Sequence, residues 1–179
     1  MCDYGYVRVS TECQKVQRQR DNIRDFCSNA IIFEEKQSGK DIERRAEFRK
    51  LLNKVKSGDR IIFDEVSRMS RNAEEGYNLY ISLMSRGIDL VFLKERHIDT
   101  CEYKRRTQNH MDRVSSSNEK VDNLINGILD LVSEFERENL KDNIRLAFEQ
   151  AEHERELLIK RVTEGKSKSE KTQGRPKGS

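Results

Sequence analysis

The sequence has few of the residues on which metal sites, disulfide frameworks and nucleotide loops depend. Its cysteines form no CxxC pair, so we expect free thiols in a reducing compartment (Cys2, Cys13, Cys27, Cys101). Three scattered histidines argue against a zinc site or a serine–histidine pair (His97, His110, His153). A Gly-rich phosphate loop is also missing, so ATP is not the implied substrate.

Long apolar runs are missing too. No segment resembles a signal peptide or a membrane span, which favours a cytoplasmic protein. Charged residues make up 37% of the 179 residues and the net charge is +3. The charge is uneven, because residues 160–179 carry seven Lys/Arg against two Glu. A basic tail on a mildly acidic body is typical of a protein that contacts nucleic acid, although such a tail can also serve solubility alone.

Four short runs rich in Ile, Val and Phe predict buried strands, at residues 4–9, 30–35, 59–65 and 88–95. Helical spacing of apolar residues predicts helices between them, at about 12–28, 43–57 and 72–86. Gly58 and Gly87 follow two of these helices, as helix-ending glycines do. The alternation predicts an α/β domain with a mostly parallel central sheet flanked by helices.

The pattern changes after residue 95. Residues 97–120 are polar and aperiodic, which predicts a long loop or insertion. From Val121 onward, steps of three and four predict a C-terminal helix of about 40 residues, about 60 Å long. One α/β domain cannot cover such a helix, so a second copy of the chain is the simplest partner for the rest. The alternative is two shorter helices that fold back at Gly127 or between Phe135 and Leu140.

Polar side chains stand where two predicted strands end. In YVRVST (residues 6–11), Arg8 and Ser10 project to the same face of a strand. SRMSRN (residues 67–72) places Arg68 and Arg71 after the third strand, on one face if that turn is helical. Ligands bind beyond the carboxyl ends of parallel strands, so a hydroxyl among three arginines would suit attack on a phosphodiester. Taken singly, the features are also compatible with a helix cap and ordinary surface arginines.

A resemblance supports the chemical interpretation. YVRVST, EKQSGKDIERR (35–45), GDRIIFDEVSRMSRN (58–72) and QAEHERELLIKRVTEG (150–165) resemble the signature blocks of the serine site-specific recombinases, the resolvase/invertase family. The resemblance implies a serine nucleophile that forms a 5′-phosphoserine link with DNA and later reverses that step. Because the link conserves the energy of the phosphodiester, it implies no cofactor, neither ATP nor a metal.

The resemblance also implies roles for single residues. Ser10 would be the nucleophile, with Arg8, Arg68 and Arg71 around the phosphate. Supporting positions are implied for four further residues (Gln14, Gln19, Arg44, Asp59). Arg44 is preferred to Arg45 by its spacing from Ser38-Gly39. Ser67 departs from the pattern, because many relatives have an aspartate there that could pair with an arginine.

The C-terminal third implies contacts with double-stranded DNA. Two blocks compete for alignment with the family's helix, and the one that ends in TEG fits better, so Arg155 and Arg161 are preferred to Arg137. Four further basic residues complete the predicted DNA-binding set (Lys166, Lys168, Arg175, Lys177). The predicted organisation is a catalytic domain over 1–120, a long helix over 121–166 and a basic arm over 167–179. A DNA-reading domain would normally follow such an arm, so a truncated chain is expected.

The resulting hypothesis is a site-specific DNA recombinase of bacterial or mobile-element type, associated with the nucleoid. It would act as a homodimer and as a tetramer in the synaptic complex, with no membrane and no small-molecule substrate. The alternative hypothesis is a catalytically inactive module that keeps the fold for DNA binding or dimerisation. A phosphate-binding α/β domain for small molecules would not explain the long helix and the basic tail.

Overall fold

A central parallel sheet organises the chain. The computed structural model describes residues 1–8, 13–35, 45–108 and 113–172, without the side chains of 13–15, 108 and 166–172. Its four strands are paired in the order β2-β1-β3-β4: β1 Asp3–Arg8, β2 Ile31–Glu35, β3 Arg60–Phe63 and β4 Asp89–Phe92. Every pairing is parallel. The predicted α/β class and all four predicted strands are therefore confirmed.

Helices connect and cover the strands. Within the described residues they are α1 Cys13–Phe26, α2 Ala46–Lys54, α3 Val66–Met69, α4 Ala73–Ser85, α5 Thr100–Gln108 and α6 Glu119–Thr172. The three helices predicted between the strands correspond to α1, α2 and α4. The one-turn α3 was not predicted, because four residues show too little periodicity.

Strands β1, β3 and β4 are largely buried, as their near-continuous apolar sequences require, whereas the edge strand β2 is only partly buried. Side chains at alternate positions point to opposite faces. On one face Tyr6, Phe63 and Phe92 pack with residues of α2, α4 and α6. On the other face Val7 and Ile62 pack against α1. The two faces thereby fix the register of β1 against β3, which pairs Tyr6 with Phe63.

The segment predicted as a loop over 97–120 contains a helix, so that prediction was wrong for residues 100–108. Polar side chains hold the start of α5 to the edge of the sheet. The Phe92 amide donates to Asp99 Oδ1 at 2.7 Å, and the Leu90 amide donates to Thr100 Oγ1 at 2.8 Å. These bonds satisfy backbone groups of β4. Since the contacts are polar, a search for apolar periodicity could not find them.

Helix α6 is continuous over 54 residues, about 80 Å, so the alternative of two shorter helices was wrong. Only its middle is buried in the domain, through Leu140, Ile144, Ala147 and Phe148. Towards its start, Leu131 is 67% exposed and other apolar residues are similarly exposed. In the part of the chain that the structure describes, no helix combines the length and apolarity needed to cross a membrane.

Candidate active site

The carboxyl ends of β1 and β3 meet, as expected of adjacent parallel strands. Arg8 is the last residue of β1, and α3 begins three residues after β3 ends. The guanidinium of Arg8 joins the two elements, because its Nη2 donates to the carbonyl oxygen of Ser67 at 3.0 Å. The predicted proximity of Arg8 to the SRMSRN segment is therefore what the fold produces.

Arg8 is nearly buried, with 5% of its surface exposed. Gln19 of α1 fixes its main chain through two hydrogen bonds of 3.3 Å: the Arg8 amide donates to Gln19 Oε1, and Gln19 Nε2 donates to the Arg8 carbonyl. The side-chain Nε and Nη1 of Arg8 find no hydrogen-bond acceptor among the described residues. Gln19 thus positions the end of β1, while Arg8 keeps two buried donors available.

Arg45 is a second buried guanidinium, although the spacing from Ser38-Gly39 had favoured Arg44. It has 0% exposure, and its Nη1 donates to the Met69 carbonyl at 2.6 Å. Its guanidinium carbon lies 6.0 Å from the ring centroid of Phe48. Arg44 lies outside the described residues. Helical phase was the available signal for Arg45, because Phe48 stands three positions later on the buried face of α2.

Arg68 and Arg71 do not share one helical face. Helix α3 ends at Met69, and Ser70 is extended with φ −139° and ψ 158°. Arg68 lies in the helix, where its Nη2 pairs with Glu65 Oε1 at 2.7 Å. Arg71 follows the extended residue and is partly buried. The two arginines therefore reach the same cleft from a helix and from the chain after it.

The cleft, of about 370 Å³, lies between this edge of the domain and α6. Arg8, Arg68 and Arg71 line one side, and Arg155 of α6 lines the other. A larger cleft of about 920 Å³ continues from Arg71 and Arg155 along α6 past Lys160. The predicted DNA contact Arg155 thus faces the arginine cluster.

Two other arginines of α6 lie apart from the clefts. Arg161 is exposed and lines neither cleft. The alternative Arg137 is exposed about 27 Å further towards the start of the helix. The position of Arg155 therefore favours the second of the two candidate helix blocks.

The arginines raise one another's electrostatic energy. Burial, and then the charges of Arg71, Arg45 and Arg68, lower the pKa of Arg8 to about 9. Burial also lowers the pKa of Arg71, and among its charged neighbours Arg155 has the largest effect on that pKa. Cations gathered in a partly buried site with unused donors are suited to bind a polyanion, which would supply both counter-charge and acceptors.

Asp59 is not brought to this cluster. It precedes β3 and therefore lies at the opposite, amino edge of the sheet. There its carboxylate accepts the Cys2 amide at 2.8 Å and the Lys56 amide at 3.0 Å. The Lys56 and Cys2 amides hold its pKa below the ordinary value. The family resemblance had implied a supporting role at the site, but in the structure the Asp59 carboxylate binds main-chain amides of the turn before β3 and of the N-terminus.

The remaining predicted residues lie outside the described part, wholly or in their side chains (Ser10, Gln14, Arg44, Lys166, Lys168, Arg175, Lys177). Their roles stay predictions. Ser10 follows Arg8 by two positions in the sequence.

Comparison with known proteins gives a consistent set of similarities. Residues 4–152 match the family model described as "Resolvase, N terminal domain". A "Resolvase" of Clostridium perfringens (strain 13 / Type A) is 33% identical over 97 residues, which make up 54% of this chain and 51% of that protein. The "Transposon Tn501 resolvase" of Pseudomonas aeruginosa is 29% identical over 141 residues, 79% of this chain and 65% of that protein. The chain therefore spans between about half and two thirds of these relatives' length.

Two solved structures are also similar. The "N-terminal Catalytic Domain of TP901-1 Integrase" aligns with a TM-score of 0.46 and 21% identity, covering 77% of this chain and 98% of that chain. A "resolvase family site-specific recombinase from Streptococcus pneumoniae" aligns with a TM-score of 0.45 and 25% identity, covering 80% and 92%.

Proposed function

Because the chain belongs to the resolvase family, we propose that it is the catalytic part of a site-specific DNA recombinase, with Ser10 as its nucleophile. The observation that carries the proposal is the cluster of arginines at the carboxyl edge of the sheet, beside the end of β1, in which Arg8 and Arg45 are buried. Arg8 and Arg45 each use one N–H group on the α3 main chain. Each keeps two further nitrogens without an acceptor among the described residues, which suits them to the oxygens of a phosphodiester.

The proposed reaction is a transesterification. Ser10 Oγ attacks the phosphorus and a Ser–O–P bond forms, while the bond from phosphorus to the 3′ oxygen breaks. The electron pair of that bond goes to the 3′ oxygen, which takes up a proton as the serine loses one. The arginines stabilise the extra negative charge of the transition state. In the reverse step a 3′-hydroxyl attacks the phosphoserine, so the exchange needs neither ATP nor a metal.

The DNA would lie along the C-terminal half of α6. Arg155 lines the cleft with the catalytic arginines, and Lys160 lines its continuation. We assign phosphate contacts to these residues and, further along, to the basic positions predicted from the sequence (Arg161, Lys166, Lys168, Arg175, Lys177). Supporting roles remain proposed for Gln14, Gln19 and Arg44 near the reacting phosphate.

The start of α6 would provide the surface for self-association. Leu124, Ile128, Leu131 and Phe135 are exposed and follow one another at steps of four, three and four. Such steps align apolar side chains on one face of a helix. On a continuous helix this face points away from Leu140 and Ile144, which are buried in the domain. We assign the face to a homodimer, with a tetramer in the synaptic complex.

An inactive DNA-binding module is the alternative function. Its support in the sequence was Ser67, where an aspartate could have paired with an arginine. Glu65 provides Arg68 with a carboxylate partner at 2.7 Å. That pairing removes the reason to prefer the inactive module.

The proposal is tested by trapping the covalent intermediate. The protein would be incubated in EDTA with a pool of nicked duplexes of random sequence. Cleavage near the nick releases a short strand that dissociates, so the covalent intermediate cannot be religated. We expect a DNA adduct that survives denaturation and that mass spectrometry locates at Ser10. An adduct formed equally well by Ser10→Ala would overturn the proposal.

A further inference from the structure

The carboxylate of Glu65 contacts several of the side chains in and around the cleft. It lies between β3 and α3 and lines the cleft with Arg8 and Arg68. Its Oε1 accepts the Ser67 hydroxyl at 2.5 Å and pairs with Arg68 Nη2 at 2.7 Å. Its Oε2 binds the ammonium of Lys94. One carboxylate thereby binds three side chains.

These contacts fix Arg68 from one side. Its Nη2 is held by Glu65, whereas its Nε is buried and finds no acceptor among the described residues. An arginine held at one nitrogen loses much of its rotamer freedom before any ligand binds. Glu65 therefore orients the guanidinium without occupying all of its donors.

Ser67 extends the same arrangement to Arg8. Its hydroxyl donates to Glu65, while its carbonyl accepts Arg8 Nη2 at 3.0 Å. The position of Arg8 relative to Arg68 is thus set through one residue whose side chain and main chain are both engaged. A carboxylate that holds Ser67 acts on two arginines together.

A buried carboxylate is unfavourable in its charged form, but the neighbours of Glu65 stabilise that form. Burial acts to raise the pKa of Glu65, but hydrogen bonds from Lys94 and Ser67 and the charge of Arg68 outweigh burial and lower the pKa. Glu65 is therefore ionised at neutral pH. Glu95 supports the same turn separately, since its Oε2 accepts the Val66 amide at 3.1 Å.

We propose that Glu65 is a positioning residue for DNA cleavage, holding Arg68 directly, and Arg8 through Ser67, in register for one phosphate. The inference rests on the proposed function. The two possible roles of the carboxylate predict different effects of its removal. If Glu65 only neutralised charge, its removal would strengthen DNA binding and would not slow cleavage. If Glu65 positions the arginines, its removal slows the chemical step.

The test separates DNA binding from cleavage. Glu65→Gln would be compared with Glu102→Gln in α5. That variant also removes one negative charge from a Glu–Arg pair at i,i+3 with a 2.7 Å contact, but Glu102 lines neither cleft. Affinity for a duplex would be measured by fluorescence anisotropy, and adduct formation would be measured at saturating DNA. We expect E65Q to bind as tightly as wild type or more tightly, yet to form the adduct about 100-fold more slowly, as misplaced catalytic groups do. E102Q should match wild type in both.

A rescue distinguishes positioning from a general structural role. Ser67→Asp in the E65Q background returns a carboxylate beside Arg68, so we expect the double variant to cleave at least about tenfold faster than E65Q. Should E65Q fail to fold, Ser67→Ala removes the hydroxyl that Glu65 accepts and should slow adduct formation without weakening DNA binding. Thermal unfolding of each variant identifies those that fold.

The outcomes also separate this inference from the proposed function. Adduct formation by wild type, with E65Q or the folded S67A cleaving at the E102Q rate, would overturn the role of Glu65 alone. An adduct that persists in Ser10→Ala would overturn the proposed function. If wild type forms no adduct, the Nε–H resonance of Arg68 decides: duplex DNA should shift it in wild type and not in E65Q, and an equal shift in both would overturn the positioning role.

Discussion

Arg8 at the end of β1 and Ser67 in α3 are joined by a side-chain to main-chain hydrogen bond of 3.0 Å. The bond links the ends of two adjacent strands and uses one corner of a buried guanidinium. Nε and Nη1 of the same group have no acceptor among the described residues. A lysine could not replace this group, since an ammonium has no planar set of donors.

Arg8→Lys should therefore abolish most of the DNA cleavage while it preserves the fold. We expect the rate of adduct formation to fall at least about 100-fold. Stability should not fall in parallel, because burial, and then the like charges of its neighbours, disfavour this cation and lower the pKa of Arg8 to about 9. Arg24→Lys, at an exposed position of α1, is the matched control and should cleave normally. Equal activity of both variants would contradict a role for the Arg8 fork.

Phosphate should stabilise the protein more than chloride does at the same ionic strength. An anion in the cleft relieves repulsion among the arginines, and at ten times its Kd it should add about 1.4 kcal/mol to the free energy of unfolding. Arg155→Ala should lose much of this gain, because Arg155 lines the cleft. Arg49→Ala, at an exposed position of α2 that lines neither cleft, should retain it. Urea unfolding in the two salts provides the measurement, and equal losses in both variants would argue for unspecific screening.

Stability should fall as pH rises from about 4 to 6, owing to Asp99. Burial raises the pKa of this carboxyl from 3.8 to about 6, so in that window the folded state binds more protons than the unfolded state. Asp99→Asn keeps an oxygen for the Phe92 amide but cannot ionise, and should flatten the dependence. Unfolding free energies at pH 4, 5 and 7 test the sign. A wild type that gains stability relative to D99N with rising pH would show that the ionised carboxylate is favourable.

Two glycine-to-alanine substitutions should have opposite effects on stability. A Cβ on Gly76 of α4 would lie 2.4 Å from Phe148 Cδ1 and 3.0 Å from Ser70 Cβ. Gly76→Ala should therefore destabilise the protein by about 1–3 kcal/mol through overpacking. Gly127→Ala in α6 meets nothing within 4 Å and should stabilise the helix by up to about 1 kcal/mol. Denaturation of both variants provides the measurement, and a neutral result for Gly76→Ala would mean that Phe148 of α6 packs less tightly against α4.

Polar substitution at the start of α6 should weaken self-association without unfolding the domain. Leu131 is 67% exposed, so Leu131→Ser removes little packing within the protomer. We expect sedimentation velocity to show a shift towards monomer. Glu136→Ser, at another exposed position of the helix, should leave the distribution unchanged. If L131S associates as wild type does, the dimer contact lies on another surface.

The sequence was sufficient to predict the four strands and their mostly parallel arrangement, for physical reasons. The apolar runs of β1, β3 and β4 are largely buried, and a parallel arrangement brings Arg8 close to the segment after β3. Helical spacing also predicted α6, although only its middle is covered by the domain. These features depend on periodicity, which is a property of the sequence itself.

Other features depend on the geometry of single contacts. Whether Arg44 or Arg45 enters the core depends on the helical phase of α2, and the structure buries Arg45. The pairing of Glu65 with Arg68 reverses the interpretation of Ser67, since the carboxylate comes from three residues earlier. Asp59 is close to the site in the sequence but lies at the other edge of the sheet, because β3 separates the two ends.

Because α6 packs against the domain only through its middle, a rotation of the helix about that contact would move both of its ends. About 20 residues extend on either side of the buried stretch from Leu140 to Ala151, a length of about 30 Å at each end. A tilt of about 10° at that stretch would move each tip by about 5 Å, in opposite directions, because an unbroken helix transmits rotation over its whole length. Movement of the exposed apolar end would thereby be coupled to movement of the end beyond Arg155. The rotation would take place about the close contact between Gly76 and Phe148.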